Sequence, residues 1–233
     1  MKKLLNIAIF VFICSIFTSC SDVKYNLEIN EDGSANFSYI LSVNEDIYED
    51  YASKYKTTLE KLEEELRNAG FSVNESFNND EKVFEAKLYI DDIKNIDSFN
   101  TVLLQAIEGE PIVSYSKNIF LEKYKINAKI DLVDYNAGTR ESKNDEYVEE
   151  NLGVTFNLKV PVSKVSSSNA NVDNGNFLTW NLKYNHENTI NVEYNIINIY
   201  AVAGAIILVF ILAQIIVILI VMKIIKKRSS KEQ

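Results

Sequence analysis

The residue types able to do covalent or proton chemistry are few in this chain, which holds two cysteines, Cys14 and Cys20, and one histidine, His186. A serine or cysteine nucleophile needs a base beside it, so a triad or dyad would have to be built on His186. That residue falls in Asn185-His186-Glu187-Asn188, a polar turn between two apolar runs, where an exposed imidazole is expected. The sequence holds no HExxH, no closely spaced cysteine pair and no glycine-rich phosphate loop. Asn30, Glu31 and Asp32 could open a calcium loop, but the remaining ligands and the closing glutamate are missing. Carboxylates are abundant, yet a glycosidase needs two held across a cleft, which spacing along the chain does not show. The expectation is a protein that is not an enzyme, with no catalytic, cofactor-binding or metal-ligating set. The chemistry that remains is acylation of the Cys20 thiol.

Cys20 owes that reading to what precedes it. Met1-Lys2-Lys3 opens the chain, Leu4 to Phe17 is apolar apart from Asn6 and Ser15, and Thr18-Ser19-Cys20 follows. Charged, apolar and small residues in that order make a secretory signal peptide over 1–19. Phe17-Thr18-Ser19-Cys20 resembles the bacterial lipobox, with Phe17 in place of the usual aliphatic residue. Cys20 is therefore the lipidation candidate, and the alternative is an ordinary cleavage that leaves it an unpaired thiol. A second apolar run, Ile199 to Met222, has Gln214 as its one strongly polar side chain. As a helix it covers roughly 36 Å, enough for a hydrocarbon core of about 30 Å. Lys223, Lys226, Lys227, Arg228 and Lys231 follow it, which places the 223–233 tail on the cytoplasmic side and 20–198 outside. That tail is too short for a signalling domain.

Net charge is −9 overall, from 24 basic and 33 acidic residues. Seven of the basic residues and one of the acidic lie in the two ends, so the external segment carries 17 against 32, a net −15. A surface this acidic repels nucleic acid and anionic headgroups. With Cys14 removed in the leader, no intramolecular disulfide can form, and stability must come from packing.

The elements that would position any site follow from periodicity. Val23, Tyr25, Leu27 and Ile29 alternate with polar residues, Glu31-Asp32-Gly33 turns the chain, and Ala35, Phe37, Tyr39 and Leu41 alternate back as a hairpin. Tyr48, Tyr51, Tyr55, Leu59, Leu62, Leu66 and Ala69 make one stripe of a long helix over 47–69, closed by Gly70. Strands are expected at 71–76, 82–90, 112–115, 120–132 and 153–160, with a shorter helix over 96–107 and a polar loop over 134–151. Phe177 to Tyr184 and Thr189 to Ile196 read as a second hairpin, with Trp180 as a core anchor. The fold class is α+β: a mainly antiparallel sheet, one long and one short helix, and a C-terminal single transmembrane helix.

The order of lipobox, Asp32-Gly33-Ser34 hairpin, long helix, Val160-Pro161, Asn169-Ala170, Thr179-Trp180 and terminal apolar helix resembles the mycobacterial LppM type of lipoprotein over nearly the whole chain. The resemblance implies a membrane-anchored α+β domain without assigned catalytic residues, and contact with a lipid or envelope glycolipid. It carries over no site residues. The expectation is a single-pass protein of the bacterial cell membrane with its domain outside, binding an apolar or envelope-derived ligand between sheet and long helix. The rival is an assembly subunit that docks another envelope protein.

Overall fold

The computed structural model describes residues 21–44, 60, 63–78, 81–99, 103–107, 109–131, 152–183 and 186–229. Residues 1–20 with Cys20, most of the segment expected as the long helix, and 134–151 lie outside the described residues. The first compact unit runs to Tyr115 and resumes over Tyr124–Asn195.

Its main body is a seven-stranded sheet in the order β10-β11-β8-β1-β2-β4-β3. The strands are β1 (Ser21–Ile29), β2 (Ala35–Asn44), β3 (Ser72–Asn78), β4 (Glu81–Ile90), β8 (Leu152–Lys159), β10 (Val172–Asp173) and β11 (Phe177–Asn181). Alternation sets the faces, because successive side chains point to opposite sides. Val23, Tyr25 and Leu27 lie in register with Val154, Phe156 and Leu158 on one side, and with Leu41, Tyr39 and Phe37 on the other. Leu178 and Trp180 extend the same face from β11, and Ala86, Leu88 and Ile90 extend it from β4. Tyr25, Leu27, Phe37, Phe156 and Leu158 are at most 1% exposed. The sheet is mixed, since β1 pairs parallel with β8 and antiparallel with β2.

The β1–β2 turn forms as its residues require. Gly33 takes a φ of 87°, a conformation that costs a residue without Cβ little. Its carbonyl accepts from the Ile93 amide at 2.8 Å. The Asp32 carboxylate accepts from Ser34 Oγ at 2.6 Å and Ser34 N at 2.9 Å, and these bonds hold its pKa below the ordinary 3.8. A depressed native pKa contributes turn stability that is complete above the unfolded value and is lost as pH falls through the native one. The Asp32 side-chain carboxyl carbon should therefore titrate by NMR with a midpoint below 3.8, and the Ser34 amide should follow it. An ordinary midpoint would refute the bonding.

Residues 63–68 form α1, inside the 47–69 segment expected as the long helix. Gly70, at φ 93°, closes it. Phe71 N donates to Leu66 O at 3.0 Å and Gly70 N to Arg67 O at 3.0 Å, the paired bonds of a Schellman ending. Leu66 and Phe71, the pair that this ending brings together, are both buried.

Two expectations are corrected. The shorter helix over 96–107 is instead a 3-10 helix, Ile93–Ser98, followed by β5 (Gln105–Ala106). Asp92 caps it through Lys94 N, and its buried side chains, Ile93 and Ile96, lie three residues apart, the 3-10 repeat. Gln105 and Ala106 are drawn into pairing with Lys129 and Ala128. Nor do the two last strands form a hairpin. β11 pairs with β8 and β10, whereas β12 (Glu187–Ile197) belongs to a second sheet, ordered β5-β7-β12-β9, with β6 (Val113–Lys117) also on β7 (Leu121–Asp131). The chain changes sheets between Asn181 and Glu187, and the Asn188 side chain accepts from Lys183 N and donates to Lys183 O, His186 O and Ile130 O. Within the polar run after Pro161, Ser167–Ser168 makes the short β9 on β12.

Trp180 is buried as a core anchor. Its indole N–H donates to Asn169 Oδ1 at 2.9 Å, which also accepts from Asn191 N of β12 at 2.8 Å. One amide thus ties the first sheet to the second.

The second compact unit is Ser116–Lys123 with Ile196–Gln233. Its helix, α2 (Ile199–Ser229), is apolar on all sides from Ile199 to Met222 apart from Gln214, and Ile206 to Ile211 and Ile215 to Met222 are exposed all round. Ile199–Lys223 is long and apolar enough to cross a membrane. A helix this uniformly apolar has no water-facing side, as expected for a span. Asn198 caps it, its Oδ1 accepting from Ala201 N at 3.1 Å.

Candidate functional site

One face of the seven-stranded sheet carries the buried side chains, and the opposite face carries the candidate site. A half-open depression of roughly 540 Å³ lies on it, lined among others by Asn26, Asn36, Ser38, Asn157, Lys159 and Phe177. That volume lies in the range of small-ligand sites.

Strand register builds this face in rows. Thr179, Asn157, Asn26 and Ser38 are directly opposite one another across β11, β8, β1 and β2. Thr179 Oγ1 donates to Asn157 Oδ1 at 2.8 Å, Asn157 Nδ2 to Asn26 Oδ1 at 2.9 Å, and Asn26 Nδ2 to Ser38 Oγ at 3.2 Å. Each bond fixes the orientation of the next amide, so the row is set before any ligand arrives. Two residues along, Phe177, Lys159, Glu28, Asn36 and Tyr89 form a parallel row. Lys159 Nζ lies 2.6 Å from Glu28 Oε1, and Lys87 Nζ lies 2.9 Å from Glu85 Oε2. Phe177 and Tyr89 stand exposed at opposite ends of the second row.

This arrangement offers fixed amide and hydroxyl groups, charge-paired ends and exposed ring faces. It can hold a neutral, many-hydroxyl ligand by hydrogen bonds and ring contact. The carboxylates that line it, Glu28 and Glu85, each sit against a lysine.

The residues singled out from sequence are dispersed. Cys20 lies outside the described residues, one position before β1 begins at Ser21. His186 is exposed in the turn between the sheets. Asn30 and Asp32 both engage Ser34 within the hairpin turn, Asn30 Nδ2 donating to Ser34 Oγ at 2.9 Å. Among the described residues no three His, Cys, Asp or Glu side chains converge. The tyrosines Tyr48, Tyr51 and Tyr55 of the long-helix stripe, and with them the expected cavity between helix and sheet, lie outside the described residues. The phenols of Tyr39 and Tyr194 are pushed up by burial, that of Tyr194 also by Tyr124 stacked 5.0 Å away. Neither ionises near neutral pH. The polar face itself was missed from sequence; its signal was the asparagine, serine and threonine residues at alternate positions of β1, β2, β8 and β11.

The described residues thus define a mixed-sheet α+β domain followed by an apolar helix able to span a bilayer. No family model matches the chain, and no curated protein matches it. Among solved structures it is similar to the folded domain of Mycobacterium tuberculosis LppM, determined by NMR, at a TM-score of 0.43 and 12% identity. The match covers 78% of this chain and 94% of that one. It brings neither site residues nor an activity to this chain.

Proposed function

We propose that the chain is a membrane-anchored, non-catalytic binding module whose outer sheet face takes the hydroxylated portion of an envelope-derived ligand, a glycan or the sugar headgroup of a glycolipid. The observation that carries this reading is the pre-bonded Thr179–Asn157–Asn26–Ser38 row beside an exposed Phe177. Amides and hydroxyls both donate and accept, which matches the alternating demands of sugar hydroxyls. An acyl chain would find few apolar partners there. The membrane part of the reading rests on α2 and on the basic residues that follow Met222.

Full-length protein in phospholipid nanodiscs should bind glycans released from bacterial envelopes. Phe177→Ala and Asn36→Ala should each weaken that binding about tenfold, the scale of one anchoring contact. Undiminished binding by both variants would remove the face from the function. Absence of any glycan binding, with one stoichiometric protein partner crosslinked in intact cells, would replace the ligand reading with the assembly one.

A further inference from the structure

The turn between β6 and β7 presents Ile119 and Phe120 to the outside, Ile119 at 73% exposure. Two adjacent apolar side chains on an exposed turn need an explanation, and the backbone around them supplies one. Asn118 Oδ1 accepts from Phe120 N at 2.9 Å and Leu121 N at 2.8 Å, while Asn118 N donates to Leu121 O at 2.9 Å. The carbonyls of Ile119 and Phe120 are taken by Asn198, through Nδ2 at 3.2 Å and N at 2.9 Å. Asn198 is also the residue that caps α2. The tip is therefore fastened at the level of the first turn of the apolar helix, inside one compact unit. Ile197, Ile199 and Tyr200 are exposed at that same level, Tyr200 at 91%.

We propose that the 118–120 tip is a second membrane contact, its Ile119 and Phe120 side chains seated in the headgroup–hydrocarbon boundary beside the start of α2. Loops entering that boundary are costly when their backbone groups lose water unpaired. Here the carbonyls of Ile119, Phe120 and Leu121 and the amides of Asn118, Phe120 and Leu121 are already bonded. Aromatic rings favour this depth, where Phe120 and Tyr200 would form part of one belt. Lys117 and Lys123 flank the tip, Lys117 paired with Glu122 at 2.5 Å. The contact converts a single helical pivot into a two-point seat. It rests on the membrane reading of α2, and its test separates the two.

Trp180 is the one native tryptophan and is buried, so wild-type emission supplies the baseline. Phe120→Trp, Ile119→Trp and Leu212→Trp are placed singly in the full chain, reconstituted in phosphatidylcholine–phosphatidylglycerol nanodiscs with plain or brominated acyl chains. The added emission of Phe120→Trp and Ile119→Trp should be blue-shifted and largely lost with lipid brominated near the headgroup end of the acyl chain. Leu212→Trp should respond to bromine near the methyl end. Quenching of Leu212→Trp alone, with both tip variants unaffected, overturns the tip contact and leaves α2 as the span. Absence of quenching at all three positions overturns both.

Discussion

Replacing Phe156 by alanine should lower the unfolding free energy by about 3–5 kcal/mol, as expected when a buried ring is deleted and its cavity only partly collapses. Phe156 is 1% exposed and sits in register between Tyr25 of β1 and Trp180 of β11, its ring 5.7 Å from the indole. Its loss removes the ring that packs beside Trp180. The junction of β8 with the central β1 would also lose the buried ring opposite Tyr25. Chemical denaturation of the detergent-solubilised protein, followed by far-ultraviolet circular dichroism, measures the change. Phe156→Leu should cost less than about 1.5 kcal/mol, since most of the volume remains. A loss below about 1 kcal/mol for Phe156→Ala would mean that the β8–β1 seam is not central to stability.

The second large effect concerns retention at the membrane. An acyl chain on Cys20 would hold the protein weakly and reversibly, whereas a spanning helix is in effect permanent. Full-length Cys20→Ala should therefore remain in the carbonate-resistant membrane fraction. A chain ending at Asn198 with Cys20 intact should be partly shed, and the same truncation with Cys20→Ala should be wholly soluble. Release of full-length Cys20→Ala would overturn the spanning role of α2. Equal and complete shedding of both truncated proteins would show that Cys20 carries no lipid.

Much of the first sheet was legible because its strands are half-buried and alternate cleanly. Val23 to Ile29, Ala35 to Leu41 and Gly153 to Val160 all declare one apolar face in the sequence, and the register observed uses that face. Gly33 and Gly70 likewise mark the turn and helix end found. Pairing was less legible, because alternation says which side of a strand is buried and nothing about its neighbour. Proximity makes 177–184 and 189–196 look like a hairpin, whereas β11 pairs with β8 and β10, and β12 joins the second sheet. The 96–107 segment misled because Ile96, Phe99, Leu103 and Ala106 suit a helix, while local capping and the open edge of β7 compete for the same residues. The candidate site was the least visible. A row such as Thr179–Asn157–Asn26–Ser38 joins positions from four strands, and each alone looks like an ordinary outward-facing polar residue.

The parallel seam between β1 and β8 joins Asn26 to Asn157, 131 positions apart. At synthesis rates of roughly 5–20 residues per second, about 7–26 s separate the making of the two strands. Through that interval β1 and β2 can pair as a local hairpin while the other rim of β1 stays bare, an invitation to pair with a neighbouring chain. The nascent protein therefore has a built-in waiting time, and its yield in cells should depend on whatever shields that rim until residue 159 has emerged.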